Sequence, residues 1–184
     1  MNYHPRGVLP RGFLFFERKE DIDMVDMLVR LYALPAGEPL RASLAEQGVL
    51  VRSCRPFEMH AVEEWIARTF STRWVSEFQV AMAHQPCGCI IATRDKQVVG
   101  FACFDATARG FIGPMGVEPE LRQSGVGKAL LITALEQMRA MGYAYAVIGG
   151  TGPQEFYART VGATVIEGSD PGFYADILPE PGRS

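Results

Sequence analysis

Residues 117–130 read VEPELRQSGVGKAL and join a short apolar run to the strongest helical pattern of the chain. A strand is predicted to end at Val117, a polar loop follows, and Gly125 and Gly127 stand where a helix begins. Glycines leave nearby backbone amides uncovered, and the first amides of a helix lack intrahelical acceptors. The segment therefore predicts a helix N-terminus that suits a phosphate or pyrophosphate.

Two basic residues accompany this loop. Arg122 precedes the glycines and Lys128 lies in the first helical turn, so both add positive charge. The spacing is neither a Walker loop nor a dinucleotide fingerprint, which needs a third glycine. The glycine pair alone leaves two alternatives open: a simple glycine turn at a helix start, and a generic phosphate-binding protein such as a nucleotide binder.

Hydrophobic periodicity on both sides of the loop predicts the other elements. They are a strand over 49–53, helices over 56–70 and after Ser71, a hairpin of strands over 89–93 and 98–105, a strand over 111–117, helices over 126–141 and 153–161, and strands over 143–148, 163–167 and 173–178. The order β-α-α-β-β-β-α-β-α-β-β indicates an α/β fold, or α+β by some schemes, around one sheet.

Residues 1–48 precede this pattern and are predicted to form an N-terminal extension and linker. An aromatic run over 13–16 favours a short strand, and apolar residues at helical spacing over 21–31 favour a helix. Residues 34–48 contain two prolines and two glycines, which is typical of a linker or a short helix between loops. The remaining residues, 49–184, are predicted to form the main domain.

Composition argues against several classes of protein. The chain has 184 residues, with 18 basic and 21 acidic side chains and a net charge of -3. Without an overall basic field, nucleic acid and anionic membranes are not expected partners. No apolar run approaches the roughly 20 residues of a membrane helix, and the first residues do not resemble a signal peptide. Four cysteines without such a signal are typical of reduced thiols in a cytoplasmic protein.

The segment His84-Gln-Pro-Cys87-Gly-Cys89 contains three potential metal ligands. A structural zinc site needs four ligands, and no second Cys or His pair follows. Cys87 and Cys89, two residues apart, point to one face of a strand, where free cysteine behaves as a small apolar residue. We therefore expect no metal site.

Two motifs resemble the GCN5-related N-acetyltransferase (GNAT) superfamily. Residues 122–127, RQSGVG, resemble its acyl-CoA motif Arg/Gln-x-x-Gly-x-Gly/Ala, and residues 156–163, FYARTVGA, are similar to its helix bearing Phe-Tyr. The resemblance covers residues 49–178. It implies a mixed, mostly antiparallel central sheet flanked by helices, with acetyl-CoA as the cosubstrate and no metal.

The resemblance also assigns roles to residues of this chain. Pantetheine would pair with the backbone of Met115, Gly116 and Val117. The pyrophosphate site would be formed by Arg122, Gln123, Ser124, Gly125, Val126, Gly127 and Lys128. Tyr157 would be the general acid for the departing thiolate, because a phenol with a pKa of about 10 can donate a proton at close range. The alternative for Tyr157 is a core aromatic residue.

The general base is missing from the family's pattern. The position that often carries a glutamate falls at or near Arg109, which could instead bind an anionic or hydroxylated part of the acceptor. Asp105 and Glu155 are possible substitutes, but each also fits a structural or solvated acid. Arg73 lies in a loop that often borders the acceptor pocket, where it would disfavour a purely cationic acceptor. No base is assigned.

The function implied is transfer of acetyl from acetyl-CoA to a primary amine of a small molecule, such as an amino sugar, by direct attack. A protein or peptide amine is an alternative acceptor. A non-catalytic acyl-CoA-binding sensor or interaction module is the alternative to an enzyme. Family members are often dimers, so the resemblance is compatible with a homodimer. Residues 12–30 also resemble closing strands of such a domain, which would make them a strand pair left from a lost first domain.

Overall fold

The computed structural model describes residues 25–178, in which seven strands form one sheet. The strands are β1 (Met27–Arg30), β2 (Val49–Ser53), β3 (Cys89–Arg94), β4 (Gln97–Phe104), β5 (Phe111–Val117), β6 (Tyr145–Ile148) and β7 (Thr164–Val165). Their spatial order is β2-β3-β4-β5-β6-β1-β7. Of these neighbouring pairs only β5–β6 is parallel, so the predicted mixed, mostly antiparallel sheet is confirmed.

Five α-helices flank the sheet within the described residues. They are α1 (Glu38–Glu46), α2 (Met59–Thr69), α3 (Thr72–Ala83), α4 (Val126–Ala140) and α5 (Gln154–Val161). Ser71 caps α3 as predicted, since its Oγ accepts a hydrogen bond from the Trp74 amide at 3.3 Å. The predicted hairpin and the predicted long helix are also confirmed.

The sheet separates two apolar cores. Neighbouring residues of β3 and β4 alternate between them, as side chains of a strand must. One core is built on α4 and includes Ile90 and Ala102. The other is built on α2 and α3 and includes Ile91 and Phe101. We call the two sides of the sheet the α4 face and the α3 face.

The prediction of a helix over residues 21–31 is wrong for its described part. Met27–Arg30 form strand β1, which lies between β6 and β7 and is antiparallel to both. Met27 and Val29 are buried while Arg30 is exposed, a period of two that the helical spacing concealed. The predicted strand over 13–16 lies outside the described residues, and the lost-domain interpretation stays a prediction.

Residues 34–48 form a short helix rather than an extended linker. Helix α1 packs against α4, where the Arg41 guanidinium contacts the Glu136 carboxylate at 2.6 Å. Leu44 is buried in the same core as β1 and α4. The described part of the N-terminal extension therefore shares the sheet and the core of the main body.

The prediction of a closing strand over 173–178 is wrong. Gly172–Tyr174 form a 3-10 turn, and the preceding strand is only two residues long. Strand β1 already occupies the place beside β6 and also pairs with β7. The C-terminal segment instead reaches α3, where the Arg73 guanidinium donates to the carbonyl of Leu178 at 2.7 Å.

Candidate active site

Strands β5 and β6 run side by side only briefly. Their pairing ends with Ile112 and Ile148, and within the described chain no later residue of β5 pairs with β6. On its other side β5 stays paired with β4 as far as Val117. The β6-facing backbone of the last three residues of β5 is therefore open to a ligand. These are the residues predicted to pair with pantetheine, namely Met115, Gly116 and Val117.

The strands part at an irregularity in β5. Gly113 has a φ of 136°, which L side chains rarely adopt. The pairing register of β4 and β5 shifts between Ala102 and Phe104, opposite this residue. A bulge of this kind bends a strand and increases its twist. It accounts for the departure of β5 from β6.

Gly116 allows the α2–α3 connection to lie directly on β5. A Cβ at this position would collide with the ring of Phe70. That ring stacks near Trp74, with centroids 4.9 Å apart, and both rings pack against Phe101. Phe70 and Trp74 therefore pack against the core of the α3 face.

The loop after β5 presents unused backbone donors. The amides of Gln123 and of residues 125–128 have no acceptor within the described chain. Ala129 is the first residue of α4 whose amide is bonded, to the carbonyl of Gly125 at 3.0 Å. Gly125 and Gln123 have φ angles of 92° and 75°. Successive free amides at a helix N-terminus form a concave site for an anion.

The side chains of this loop also favour an anion site. Arg122 and Lys128 are exposed, so their charges reach the space in front of the free amides. The Ser124 hydroxyl is used internally and donates to the carbonyl of Leu121 at 2.7 Å. The loop therefore offers an anion backbone amides and two cations, while Ser124 stabilises its turn.

Tyr157 lies on α5 with its ring half-buried against the core of the α4 face. The ring makes an edge contact with Phe156, with centroids 5.1 Å apart. Its hydroxyl has no hydrogen-bond partner in the part of the chain that the structure describes. Burial raises the pKa of Tyr157 to about 12. The phenol is thus protonated at neutral pH and holds a proton that a thiolate could accept.

The acids considered as bases have other partners. Asp105 is buried, and its two carboxylate oxygens accept from the Gly110 amide at 2.7 Å and the Tyr143 hydroxyl at 2.8 Å. Glu155 is exposed and pairs with Arg159 at 2.8 Å. These contacts favour the structural and solvated roles for the two acids.

Arg109 lies exposed in the β4–β5 loop beside Tyr143. Its positive charge lowers the pKa of the Tyr143 phenol, against the larger raising effects of burial and Asp105. Arg109 is thus close to a structural phenol–carboxylate pair. The acceptor-binding role considered for it stays a prediction.

A carboxylate that the sequence did not single out lies on the α3 face. Glu77 is half-buried on α3, and the Thr107 hydroxyl donates a short hydrogen bond to its Oε1 atom. Burial raises the pKa of Glu77, while the Thr107 hydrogen bond and Arg73 lower it to a smaller extent. The sequence carries no signal for this group, because Arg73 and Glu77 are spaced like any ion pair on a helix surface.

The cysteines of residues 84–89, the segment with three potential metal ligands, pack as apolar residues do. Cys89 is buried, and burial raises the pKa of its thiol well above the usual value. The Cys87 thiol contacts the Met82 sulfur at 3.3 Å. Within residues 25–178, no group of three or more His, Cys, Asp or Glu side chains is arranged to hold a metal ion. No helix in that range is long and apolar enough to cross a membrane.

Comparison with known families gives one match that spans more than half of the chain. The sequence profile described as the acetyltransferase (GNAT) family matches residues 59–163. This range contains α3, β5, the free-amide loop and Tyr157. No curated protein sequence matches the chain.

Solved structures share the fold at low sequence identity. One is described as a GCN5-related glucosamine N-acetyltransferase region of a fungal multi-domain β-N-acetylglucosaminidase, with 15% identity, a TM-score of 0.67, and coverage of 81% of this chain and 20% of that chain. A GCN5-related N-acetyltransferase from Sphaerobacter thermophilus has 22% identity, a TM-score of 0.59, and coverages of 78% and 48%. Another from Kribbella flavida has 18% identity, a TM-score of 0.51, and coverages of 78% and 55%. This chain therefore spans less than two thirds of each of them.

Proposed function

The chain belongs to the acetyltransferase (GNAT) family, and from this premise we propose that it transfers acetyl from acetyl-CoA to a primary amine of a small molecule. The observation that carries the proposal is the adjacency of two sets of free backbone groups. The open edge of β5 ends at Val117, and the free amides begin a few residues later at Gln123. An extended amide-containing chain that ends in a pyrophosphate is complementary to such a surface.

The donor would bind along this surface from one end to the other. The amide groups of pantetheine would pair with the backbone of residues 115–117. The pyrophosphate would accept hydrogen bonds from Gln123 and residues 125–128, beside the charges of Arg122 and Lys128. The helix dipole of α4 adds partial positive charge at the same point.

The chemistry then needs a nucleophile and a proton for the leaving group. The neutral amine nitrogen attacks the thioester carbon and forms a C–N bond. The C–S bond breaks, and the thiolate takes the phenolic proton of Tyr157, which the surroundings keep protonated. The nitrogen of the new amide loses its extra proton to solvent, and the Tyr157 phenolate regains one from solvent. The products are the acetylated amine and free CoA.

The acceptor is proposed to be a small amine, with an amino sugar as the first choice. The net charge of -3 offers no strong field for a charged macromolecule. The fungal neighbour described as a glucosamine N-acetyltransferase region supports an amino sugar as the first compound to assay, although its 15% identity shows the fold alone. A protein or peptide amine is the second choice. Cytoplasmic location and a homodimer stay predictions.

Calorimetry with acetyl-CoA tests the proposal, followed in the same sample by thiol release with a panel of amines. We expect binding, and thiol release with one class of amine. Binding without release for any amine would favour the non-catalytic acyl-CoA sensor. No binding would mean that the residues from Gln123 to Lys128 only begin a helix, and ATP in competition with acetyl-CoA would favour a nucleotide binder.

A further inference from the structure

The C-terminal turn lies where β5 and β6 part. The hydroxyl of Tyr174 and the ring of Phe111 occupy the space that a Cβ at Gly149 would need. Ile112 and Ile148 point to the α4 face, so Phe111 and the glycine after β6 present the opposite, α3 face here. Tyr174 therefore stands on the α3 face, beside the point at which β5 and β6 part.

Glu77 lies on α3, and this helix contacts the C-terminal segment, because the Arg73 guanidinium one turn earlier donates to the Leu178 carbonyl at 2.7 Å. Thr107, in the β4–β5 loop, holds its Oε1 atom by the short hydrogen bond described above. The Oε2 atom has no hydrogen-bond donor among the residues that the structure describes. The negative charge of Glu77 is near enough to Tyr174 to help raise the pKa of that phenol, after the larger effect of burial. One carboxylate oxygen is thus unused next to the parting strands.

The other charged groups around this space are few. Asp26 is buried and also raises the pKa of Tyr174, but its Oδ1 atom already accepts from the Gly150 amide at 2.9 Å. Arg73 is one helical turn from Glu77 and lowers the pKa of its carboxyl, while its guanidinium donates to the carbonyl of Leu178. Two carboxylates and one guanidinium leave the space negative overall, which suits an ammonium group.

Aromatic rings lie beside Tyr174 in the same region. Phe111 and Phe173 lie 5.7 Å apart between ring centroids, and Phe173 lies 5.6 Å from Tyr174. Ring faces attract cations and also bind the apolar carbons next to an amine. A carboxylate, two hydroxyls and aromatic rings make a site for a small amine that carries hydroxyl or apolar groups.

We propose that Glu77 binds the ammonium form of the acceptor and accepts its proton, with Tyr174 hydrogen-bonding the same amine. This inference rests on the proposed acetyl transfer. The proton moves from the ammonium nitrogen to Oε2 of Glu77, and the freed lone pair forms the C–N bond at the thioester carbon. The C–S electrons pass to sulfur, which is protonated by Tyr157. The bonded nitrogen loses its second proton to solvent, Glu77 returns its proton to solvent, and the Tyr157 phenolate regains one from solvent.

Burial gives Glu77 a property that a base needs. A carboxylate with a raised pKa is a stronger base than an exposed one, so less free energy is lost when it takes the ammonium proton. Arg73 and Thr107 oppose this rise. From the N-terminal segment, Asp26 acts on Tyr174, the phenol that the charge of Glu77 also affects. The ionisation of Glu77 should therefore set the acidic limb of kcat/KM.

The test is E77Q, assayed with the most reactive amine of the panel across pH. We expect kcat/KM for the amine to fall at least about 100-fold, the lower range for general base catalysis, with the affinity for acetyl-CoA unchanged in calorimetry. We also expect the acidic limb of the profile to disappear. E64Q, an exposed carboxylate on α2, is the matched control and should behave like wild type.

A second variant separates a chemical role from a structural one. T107V removes a donor that stabilises the Glu77 carboxylate, so the acidic limb should move to higher pH while the plateau stays within a few-fold of wild type. Methoxyamine, whose nitrogen is neutral at assay pH, should be acetylated by E77Q at nearly the wild-type rate after subtraction of the uncatalysed reaction. Loss of activity toward both amines would show a structural role and overturn the proposal.

The outcomes distinguish this inference from the proposed function. If E77Q keeps the wild-type kcat/KM and acidic limb, the base is elsewhere and only this inference fails. If wild type binds acetyl-CoA but releases no thiol with any amine, the proposed function fails and the inference fails with it. If E77Q does not fold, an unmoved acidic limb in T107V is the result that overturns the inference.

Discussion

The two sides of the opening between β5 and β6 differ in whether backbone groups or side chains face a ligand. On one side, which we call the donor wall, residues 115–117, 123 and 125–128 offer backbone groups from one short run of the chain. On the other, the acceptor wall, Glu77, Thr107 and Tyr174 offer side chains from three distant segments. A backbone wall recognises the shared part of a substrate class. A side-chain wall can vary with little effect on the fold, so it is suited to set the choice of amine.

Y157F gives the largest effect we expect on kcat among the variants that follow, because Tyr157 supplies the proton of the leaving group. Without the phenolic proton the thiolate must leave unprotonated, and kcat should fall about 100-fold. The affinity for acetyl-CoA should be unchanged in calorimetry, since the ring packing is kept. An unchanged kcat across pH would assign the leaving-group proton to solvent and leave Tyr157 as a core residue.

G116A tests the packing of Phe70 against the donor wall. The added Cβ meets the ring of Phe70, and overpacking of this kind costs about 1–3 kcal/mol in urea unfolding. F70L in the same chain should recover part of that loss, which a double-mutant cycle measures. G127A is the matched control. A Cβ there meets only ordinary contacts, at 3.5 Å from Val117, so the free energy of unfolding should not fall.

R122A and K128A test the charges of the donor wall. Each cation is exposed, so each removal should weaken acetyl-CoA binding by about 1 kcal/mol or less, which is a few-fold in Kd. The loss should shrink as salt is added, because exposed charges are screened. R139A removes an exposed cation from the opposite end of α4 and should leave the Kd unchanged. A similar loss in R139A would indicate a general field rather than a local site.

The smallest effect we expect is on the melting temperature, because the buried Glu77 carboxylate lowers stability at neutral pH. Because burial raises the folded-state pKa of Glu77 above its ordinary value of 4.5, the folded protein binds this proton more tightly than the unfolded chain. That contribution to stability is present below the unfolded pKa and is lost as pH rises through the folded pKa. E77Q should therefore melt about 1–3 °C above wild type at pH 7 and show no advantage near pH 4. An equal difference at both pH values would point to packing instead of charge.

The sequence predicts the strand and the helix start of the donor wall well because both are local features. A glycine pair at a helix start and a strand just before it are both visible in residues 111–128. The parting of β5 from β6 is not visible in this way, since it depends on a register shift opposite Gly113. The resemblance to the family supplied only the expected pairing of pantetheine with residues 115–117, and the residues alone did not supply it.

The acceptor wall could not be predicted, for a physical reason. Glu77 shares a spacing of four with Arg73, which is typical of a solvated helix face. Its hydrogen-bond partner Thr107 belongs to the β4–β5 loop, and the turn that carries Tyr174 follows from the C-terminal segment not forming a strand. That segment lacks its strand because β1 holds the place beside β6, and the spacing over 21–31 favoured a helix there.

The position of β1 in the sheet also determines when this strand can fold during synthesis. Met27 pairs with Ile148 and Val165, so the first described strand joins the sheet only after β6 and β7 have left the ribosome. Until then its buried face, with Met27 and Val29, has no partner, and a growing chain must keep it from pairing with other strands. Such long-range pairing slows folding. Strand β1 completes the sheet, and we therefore expect it to be among the last segments to fold.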